Sequence, residues 1–362
     1  MKLYKLSKFI ICSVFASCSL TACSGSSSAS TSPKTSTQVT AMKPSSIWGS
    51  MSEHFTLDTH TDNKAVIKQI SYLQKNPEDL NHILKKAGPY ISYVYAKTQQ
   101  KHMPAELALL PIVESEYSPY ARSKVGASGL WQIMPRTGSE LGLKKSSAYD
   151  GRRDIVASTN AALGFLRDLN GEFNDWELAL AAYNWGPGNI EHSVKNRHKW
   201  FGKATFWDLK HLPKETHDYV PKLLALAAVI KNPARYHIEL PAISAEPQLA
   251  ALKIGPKVDL KKMAQSTGIS VETMRKLNPG YQTLATSKGA PNTVLVPVDK
   301  VEAIKPIAPV LAVNTVSVNN PAVDAVNKVT KQSVINDFIK HGEWLIIALA
   351  NIASNEAYGR LL

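Results

Sequence analysis

Residues 110–137 read LPIVESEYSPYARSKVGASGLWQIMPRT, and one acid in this stretch stands out. Glu114 closes an apolar run (Leu110, Pro111, Ile112, Val113) in which a carboxylate would be poorly hydrated. Pro104 is placed to open a helix that carries it, and Leu107, Leu110 and Glu114 fall at i, i+3 and i+7, on one face. Pro111 removes one hydrogen bond from that helix and should bend it, and Ser118-Pro119 should end it. Downstream, Gly126, Ala127, Ser128, Gly129, Leu130, Trp131 and Gln132 form a glycine-punctuated segment suited to close backbone approach to a ligand.

A carboxylate on an apolar stripe leaves two readings open. It is a structural ion-pair partner of Arg122 or Arg136, or it is a functional acid. In the second case a dry setting would raise its pKa from about 4.3 towards 6–7, where it can protonate a leaving oxygen, as glycosidic cleavage requires. Glycosidases usually add a second carboxylate, about 5–5.5 Å or about 6.5–9.5 Å away. Glu116 points off the face of Glu114, while Asp150 and Asp154 sit in turn and cap positions, so no partner is evident. No metal or other cofactor is expected: the ten histidines show no His-Glu-x-x-His spacing. No Gly-x-Ser-x-Gly nucleophile motif is present either. Trp131, Tyr183, Trp185 and Tyr219 are core aromatics or sugar platforms, and composition does not separate the two.

The chain of 362 residues is long for one compact domain, and 44% hydrophobic residues exclude a wholly disordered protein. A net charge of +13 points to anionic partners. Residues 1–22 carry Lys2, Lys5 and Lys8 ahead of a short apolar run, Phe9 to Leu20, too short to span a bilayer. They read as a leader, and Leu20-Thr21-Ala22-Cys23 resembles the lipobox of bacterial lipoproteins, which implies lipidation of Cys23. With Cys12 and Cys18 inside the leader, redox chemistry is excluded from the mature chain. An exported basic protein meets envelope polymers rather than nucleic acid. Ser24 after the cysteine, by resemblance to lipoprotein sorting rules, favours the outer membrane, with the protein facing the periplasm.

Residues 23–62, rich in Ser and Thr at their start, read as a flexible tether. From 63 to 240 the patterns are helical. Asn76-Pro77-Glu78-Asp79 starts a helix that Gly88-Pro89 should end, Asp154 and Asp175 are N-caps, and Gly186-Pro187-Gly188 is a stop. Residues 241–300 change character: strand candidates at 252–254 and 294–298 flank two short helices, the second capped by Ser270. This β-α-α-β unit is a small module of its own. Residues 301–335 read as a linker, and 336–362 as a possible truncated copy of a second such module.

Three motifs bear on these alternatives. Glu114-Ser115 with Ala121-x-Ser123-x-x-Gly126-Ala127-x-Gly129-Leu130-Trp131-Gln132-Ile133-Met134-Pro135 comes first. Ala181-Ala182-Tyr183-Asn184-x-Gly186-x-Gly188 and Glu215-Thr216-x-x-Tyr219-Val220 follow it. Together they resemble the signature of the soluble-lytic-transglycosylase family. The resemblance implies a mainly α, goose-lysozyme-like catalytic domain. Such a domain cleaves the bond between N-acetylmuramic acid and N-acetylglucosamine in peptidoglycan without water, leaving 1,6-anhydro ends. By the same resemblance Glu114 is acid and then base, and the nucleophile is the substrate's own hydroxyl, so one carboxylate suffices. Ser123, Gln132 and Met134 match groove positions near the substrate, Tyr183 and Asn184 flank the acid, and Tyr219 is the tyrosine of the third motif. The implied partners are peptidoglycan strands and, through Cys23, a membrane, with the protein acting as a monomer. A goose-type hydrolytic lysozyme and a non-catalytic wall-binding lipoprotein are the alternatives.

The module at 241–300 resembles a degenerate LysM domain through Ile254-Gly255, Met263-Ala264, Gly268-Ile269-Ser270, Leu277-Asn278-Pro279 and Val294 to Pro297. It lacks the usual Gly-Asp-Thr turn, since Pro256-Lys257 follow Gly255. Glycan binding and a packing role against the helical domain both stay open.

Overall fold

The computed structural model describes residues 46–201, 204–287, 289–306 and 312–314. The leader, Cys23 and the expected second module copy lie outside the described residues. The first described element corrects an expectation. Within the expected tether, α1 (Ile47–Ser52) is capped by Ser46 and buries Ile47, Trp48 and Met51. The Ile47 amide bonds to the Ile243 carbonyl at 2.9 Å and the Trp48 indole to the Pro241 carbonyl at 2.8 Å. Three apolar side chains on one short face outweigh a polar neighbourhood, because each buried one contributes roughly 1.5–3 kcal/mol.

Helix α2 (Lys64–Lys75) is capped by Asn63, and α3 (Pro77–Gln100) begins with Pro77 in its first turn. Gly88-Pro89 does not end α3, which runs straight through it. Pro89 forfeits one backbone bond. Burial of Tyr90, Ile91, Tyr93, Val94 and Tyr95 in the turns beyond repays that loss. A 3-10 turn, Ala105–Leu109, leads into α4 (Leu110–Ser115), so the acid rides on a short helix that stops before Ser118-Pro119. Pro111 lies in the first turn of α4, where it bends nothing.

Helix α5 (Pro135–Glu140) is short, while α6 (Ile155–Phe173) and α7 (Trp176–Trp185) are capped by the Asp154 and Asp175 carboxylates as expected. Gly186, at φ +96°, ends α7, and α8 (Pro187–Phe201) starts at the next residue. Helix α9 (Lys214–Lys231) is the central post of the domain. From Val220 to Ile230 every residue but Lys222 is buried, against α1, α2 and α7.

The second module has its own apolar core around Leu252, Leu260, Met263, Met274 and Val294. Strand β1 (Leu249–Lys253) pairs antiparallel with β2 (Thr293–Pro297), and α10 (Leu260–Ser266) and α11 (Val271–Leu277) lie between them, α11 capped by Ser270. The expected linker is corrected at its start. Helix α12 (Val301–Ile304) buries Val301 and Ile304 in this core, and β3 (Ala312–Asn314) adds to the other edge of β1, giving the order β2-β1-β3. Local composition hides both, since α12 is held by the module's core and β3 by a strand about sixty residues upstream. Among the described residues no helix is long and apolar enough to cross a membrane.

Candidate active site

Glu114 sits in the last turn of α4, held from below by Leu110, Pro111 and Ile112, which are buried. Two consecutive residues in the left-handed region, Glu116 at φ +51° and Tyr117 at φ +58°, turn the chain sharply away from it. Glu116 leaves the site altogether and pairs with Lys86 at 3.0 Å. The Ser115 hydroxyl donates to the Leu130 carbonyl at 2.8 Å and so ties the acid's helix to the glycine-punctuated segment.

That segment is a tight double turn. The Ser123 amide bonds to the Ala127 carbonyl and the Ala127 amide to the Ser123 hydroxyl, each at 3.0 Å; the Gly129 amide bonds to the Ala121 carbonyl at 3.0 Å. Gly129 is required twice over. Its φ is +82°, and a Cβ would lie 2.0 Å from the Arg152 carbonyl oxygen. Trp131 is fully buried and donates its indole N–H to Thr159 at 3.0 Å, so it is core rather than platform. Gln132, at φ +44°, donates its side-chain Nε2 to the Gly129 carbonyl at 2.9 Å.

Gln132, Met134, Tyr183, Asn184 and Trp185 line one cavity of about 240 Å³, with Phe165 also in its wall. Met134 is 40% exposed, so its side chain is a lip and not core. The Tyr183 hydroxyl donates to the Trp131 carbonyl at 2.8 Å, and Asn184 Oδ1 accepts from Thr216 at 2.7 Å. The second and third motifs are thereby stitched together. Ser123 is not in this wall; its hydroxyl braces the 123–127 turn instead.

Glu114 is half-buried, and the Tyr219 hydroxyl donates to its carboxylate. Burial pushes the Glu114 pKa up to about 7; the Tyr219 hydrogen bond pulls the other way, and the negative charge of Glu215 adds to the rise. In return the carboxylate and burial hold the phenols of Tyr183 and Tyr219 well above their ordinary range. Among the described residues no ion pair joins Glu114 to an arginine. Arg136 pairs with Glu140 at 2.8 Å, on the surface. The ion-pair reading therefore has no support, and a protonatable acid that reaches the cavity wall through Tyr183 remains. Two features escaped sequence reasoning. Glu215, the first residue of the third motif, is a second carboxylate close enough to act on Glu114. Asp150 is a buried partner of Arg152 and not merely a turn residue: Arg152 reaches its two oxygens at 2.8 and 3.1 Å. The signal for Asp150 was its adjacency to two arginines. Among the described residues no cluster of three or more His, Cys, Asp or Glu side chains could hold a metal ion.

Two stretches of the chain match known protein families. Residues 92–206 match the family described as transglycosylase SLT domain, and residues 248–307 match the lytic transglycosylase MltD, LysM-like domain. Membrane-bound lytic murein transglycosylase D of Escherichia coli (strain K12) is 40% identical over 238 residues, which are 65% of this chain and 52% of that protein. The chain thus spans about half the length of that relative. A putative tributyltin chloride resistance protein of Alteromonas sp. (strain M-1) is 34% identical over 50% of this chain and 85% of its own length. The solved 70 kDa soluble lytic transglycosylase of Escherichia coli aligns with 47% of this chain and 30% of that one, at 21% identity and a TM-score of 0.36. That likeness is too slight to carry an argument.

Proposed function

The chain belongs to the transglycosylase SLT family, and from that premise we propose that it is a lytic transglycosylase of peptidoglycan. The observation that carries the reading is the state of Glu114: an acid raised to about 7, held by one phenol, whose charge also acts on Tyr183 in the wall of the cavity that Gln132, Met134 and Asn184 share. In the proposed reaction the protonated Glu114 gives its proton to the glycosidic oxygen between N-acetylmuramic acid and N-acetylglucosamine. The resulting carboxylate then takes the proton of the muramic 6-hydroxyl as that oxygen attacks its own anomeric carbon, closing a 1,6-anhydro ring. No water enters, and the proton is returned to Glu114. Tyr219 orients the carboxylate, while Gln132, Met134, Tyr183 and Asn184 hold the sugar; Ser123 acts on the substrate indirectly, by shaping the turn. The acyl chains on Cys23 would hold the protein, as a monomer, at the outer membrane facing the periplasm, where the net charge of +10 left after the leader and its three lysines are removed from +13 faces a polymer with anionic peptide stems.

Glu215 favours one rival, a goose-type hydrolytic lysozyme, because it is a second carboxylate near the acid. Digestion of purified peptidoglycan followed by mass analysis of the muropeptides separates the two. Anhydro ends are expected. Reducing ends, heavier by one water, would replace the transglycosylase reading with the hydrolytic one.

A further inference from the structure

The second module is seated on the helical domain through β1 and β2, whose Leu249, Ala251 and Leu295 join the helical domain's core, and through the stretch 275–282. Tyr149, from the helical domain, is almost fully buried within the module's own apolar core, its ring 5.0 Å from that of Tyr281. The two segments pair antiparallel there: the Asp150 amide bonds to the Gly280 carbonyl and the Gln282 amide to the Ala148 carbonyl, both at 2.9 Å. Gly280 lies so close to the cap of α6 that a Cβ would stand 2.7 Å from Asp154 Cβ and 3.0 Å from its Cα. A second contact lies next to the active segment, where the Tyr120 hydroxyl donates to the Arg275 carbonyl at 2.8 Å.

From these two points the contact continues to the cavity wall. Asp150, fixed by Gly280, grips the buried Arg152 through both carboxylate oxygens. Arg152 Nη1 reaches the Gly126 carbonyl at 2.8 Å and the Ile133 carbonyl at 3.4 Å, one at each end of the glycine-punctuated segment. The Arg152 carbonyl packs on Gly129, and Arg153 Nε donates to the Ser128 hydroxyl at 3.1 Å. Tyr120 precedes Ala121, whose carbonyl receives the Gly129 amide. Gln132 and Met134 flank Ile133, so the frame that holds Ile133 also places two residues of the cavity wall.

We propose that residues 275–282 of the LysM-like module are a positioning element for the active segment 121–133, acting through Tyr120 and through the Gly280–Asp150–Arg152 relay. The catalytic consequence rests on the function proposed above; the mechanical coupling does not. The module's stretch 275–282 is spent on this contact rather than presented to the wall, and the turnover of the enzyme depends on a module that touches it from behind.

The test uses the full chain with Gly280→Ala, Tyr120→Phe and, as a control on the outer face of α10, Lys261→Ala. Amide hydrogen exchange by mass spectrometry reads the coupling directly. In Gly280→Ala the amides of residues 121–133 are expected to exchange about tenfold faster, while those of α9 are unchanged. Tyr120→Phe should give the same effect in smaller degree, and Lys261→Ala none. On soluble glycan strands, kcat should fall for Gly280→Ala with KM and sedimentation with murein little altered. Faster exchange confined to residues 148–154 and 275–282, with 121–133 and kcat unchanged, would overturn the proposal. So would a loss seen only in KM and sedimentation, the mark of a module that binds glycan. If Gly280→Ala does not fold, Tyr120→Phe decides alone, since it removes one partly exposed hydroxyl. If the wild-type protein releases no muropeptides, the proposed function fails while the exchange result still decides the coupling.

Discussion

Glu114 and Asp154 are both acids withdrawn from water, and the contrast between them shows what separates a reactive carboxyl from a structural one. Burial raises both, Glu114 to about 7 and Asp154 to about 6. Their partners differ. Asp154 is buried, accepts the Ala157 amide at 2.8 Å as the cap of α6, accepts the Tyr149 hydroxyl at 2.9 Å, and is roofed by Gly280. Glu114 is half-buried, has the single phenol of Tyr219, and stands near a cavity. A perturbed pKa therefore marks both places and distinguishes neither. What distinguishes them is unused hydrogen-bonding capacity: both oxygens of Asp154 are taken, whereas among the described residues only Oε1 of Glu114 has a partner, in Tyr219.

The comparison breaks most sharply at Glu114→Gln. Muropeptide release is expected to fall by about 10²–10⁴-fold, the usual worth of a general acid, with the thermal midpoint no lower than wild type. Release at the wild-type rate would remove Glu114 from the chemistry. The second test exchanges the roles. Asp154→Ala removes a helix cap and leaves the Tyr149 hydroxyl unpaired, so a stability loss of about 2–3 kcal/mol is expected by denaturant unfolding. The pH at which activity declines should stay where it was. An activity midpoint that moved with Asp154 would mean that the two acids are not separable.

Tyr219→Phe comes next. The phenol stabilises the ionised form of Glu114, so its loss raises that pKa further, and the fall in activity at rising pH moves to higher pH as kcat drops about tenfold or more. The smallest effect belongs to Glu215→Gln. Removing a negative charge near Glu114 lowers its pKa, and the same limb should move by less than one pH unit, to lower pH. Both are read from pH–rate profiles. Stability follows the same logic. Each acid holds its proton more tightly folded than unfolded, so its contribution is full below the ordinary value, 4.5 for Glu114 and 3.8 for Asp154, and is lost as pH rises through about 7 and about 6. Glu114→Gln should flatten the first of these declines, and Asp154→Asn the second.

How far this contrast was legible in the sequence depends on the range of the forces involved. Helix caps are local, and Asp154, Asp175 and Ser270 declare themselves by their side chains alone. Glu114 was legible because a lone acid after four apolar residues is costly unless used. Gly88-Pro89 misled, because a local stop signal was overruled by burial of the next two turns. Ile47, Trp48 and Met51 were lost in a polar window, and β3 in a stretch without periodicity, since each is made by partners far along the chain. Tyr149 could not be seen at all as part of the second module's core: nothing near it in sequence belongs to that core.

The docking of α1 has one further consequence, a matter of distance. Because Ile47 and Trp48 are fastened to Ile243 and Pro241, any leash between a lipid on Cys23 and the folded protein ends at Ser46 and not at residue 63. Fully stretched, those 23 steps span at most roughly 80 Å. On the proposed anchor, 23 peptide steps rather than 40 separate the lipidated Cys23 from the folded domain.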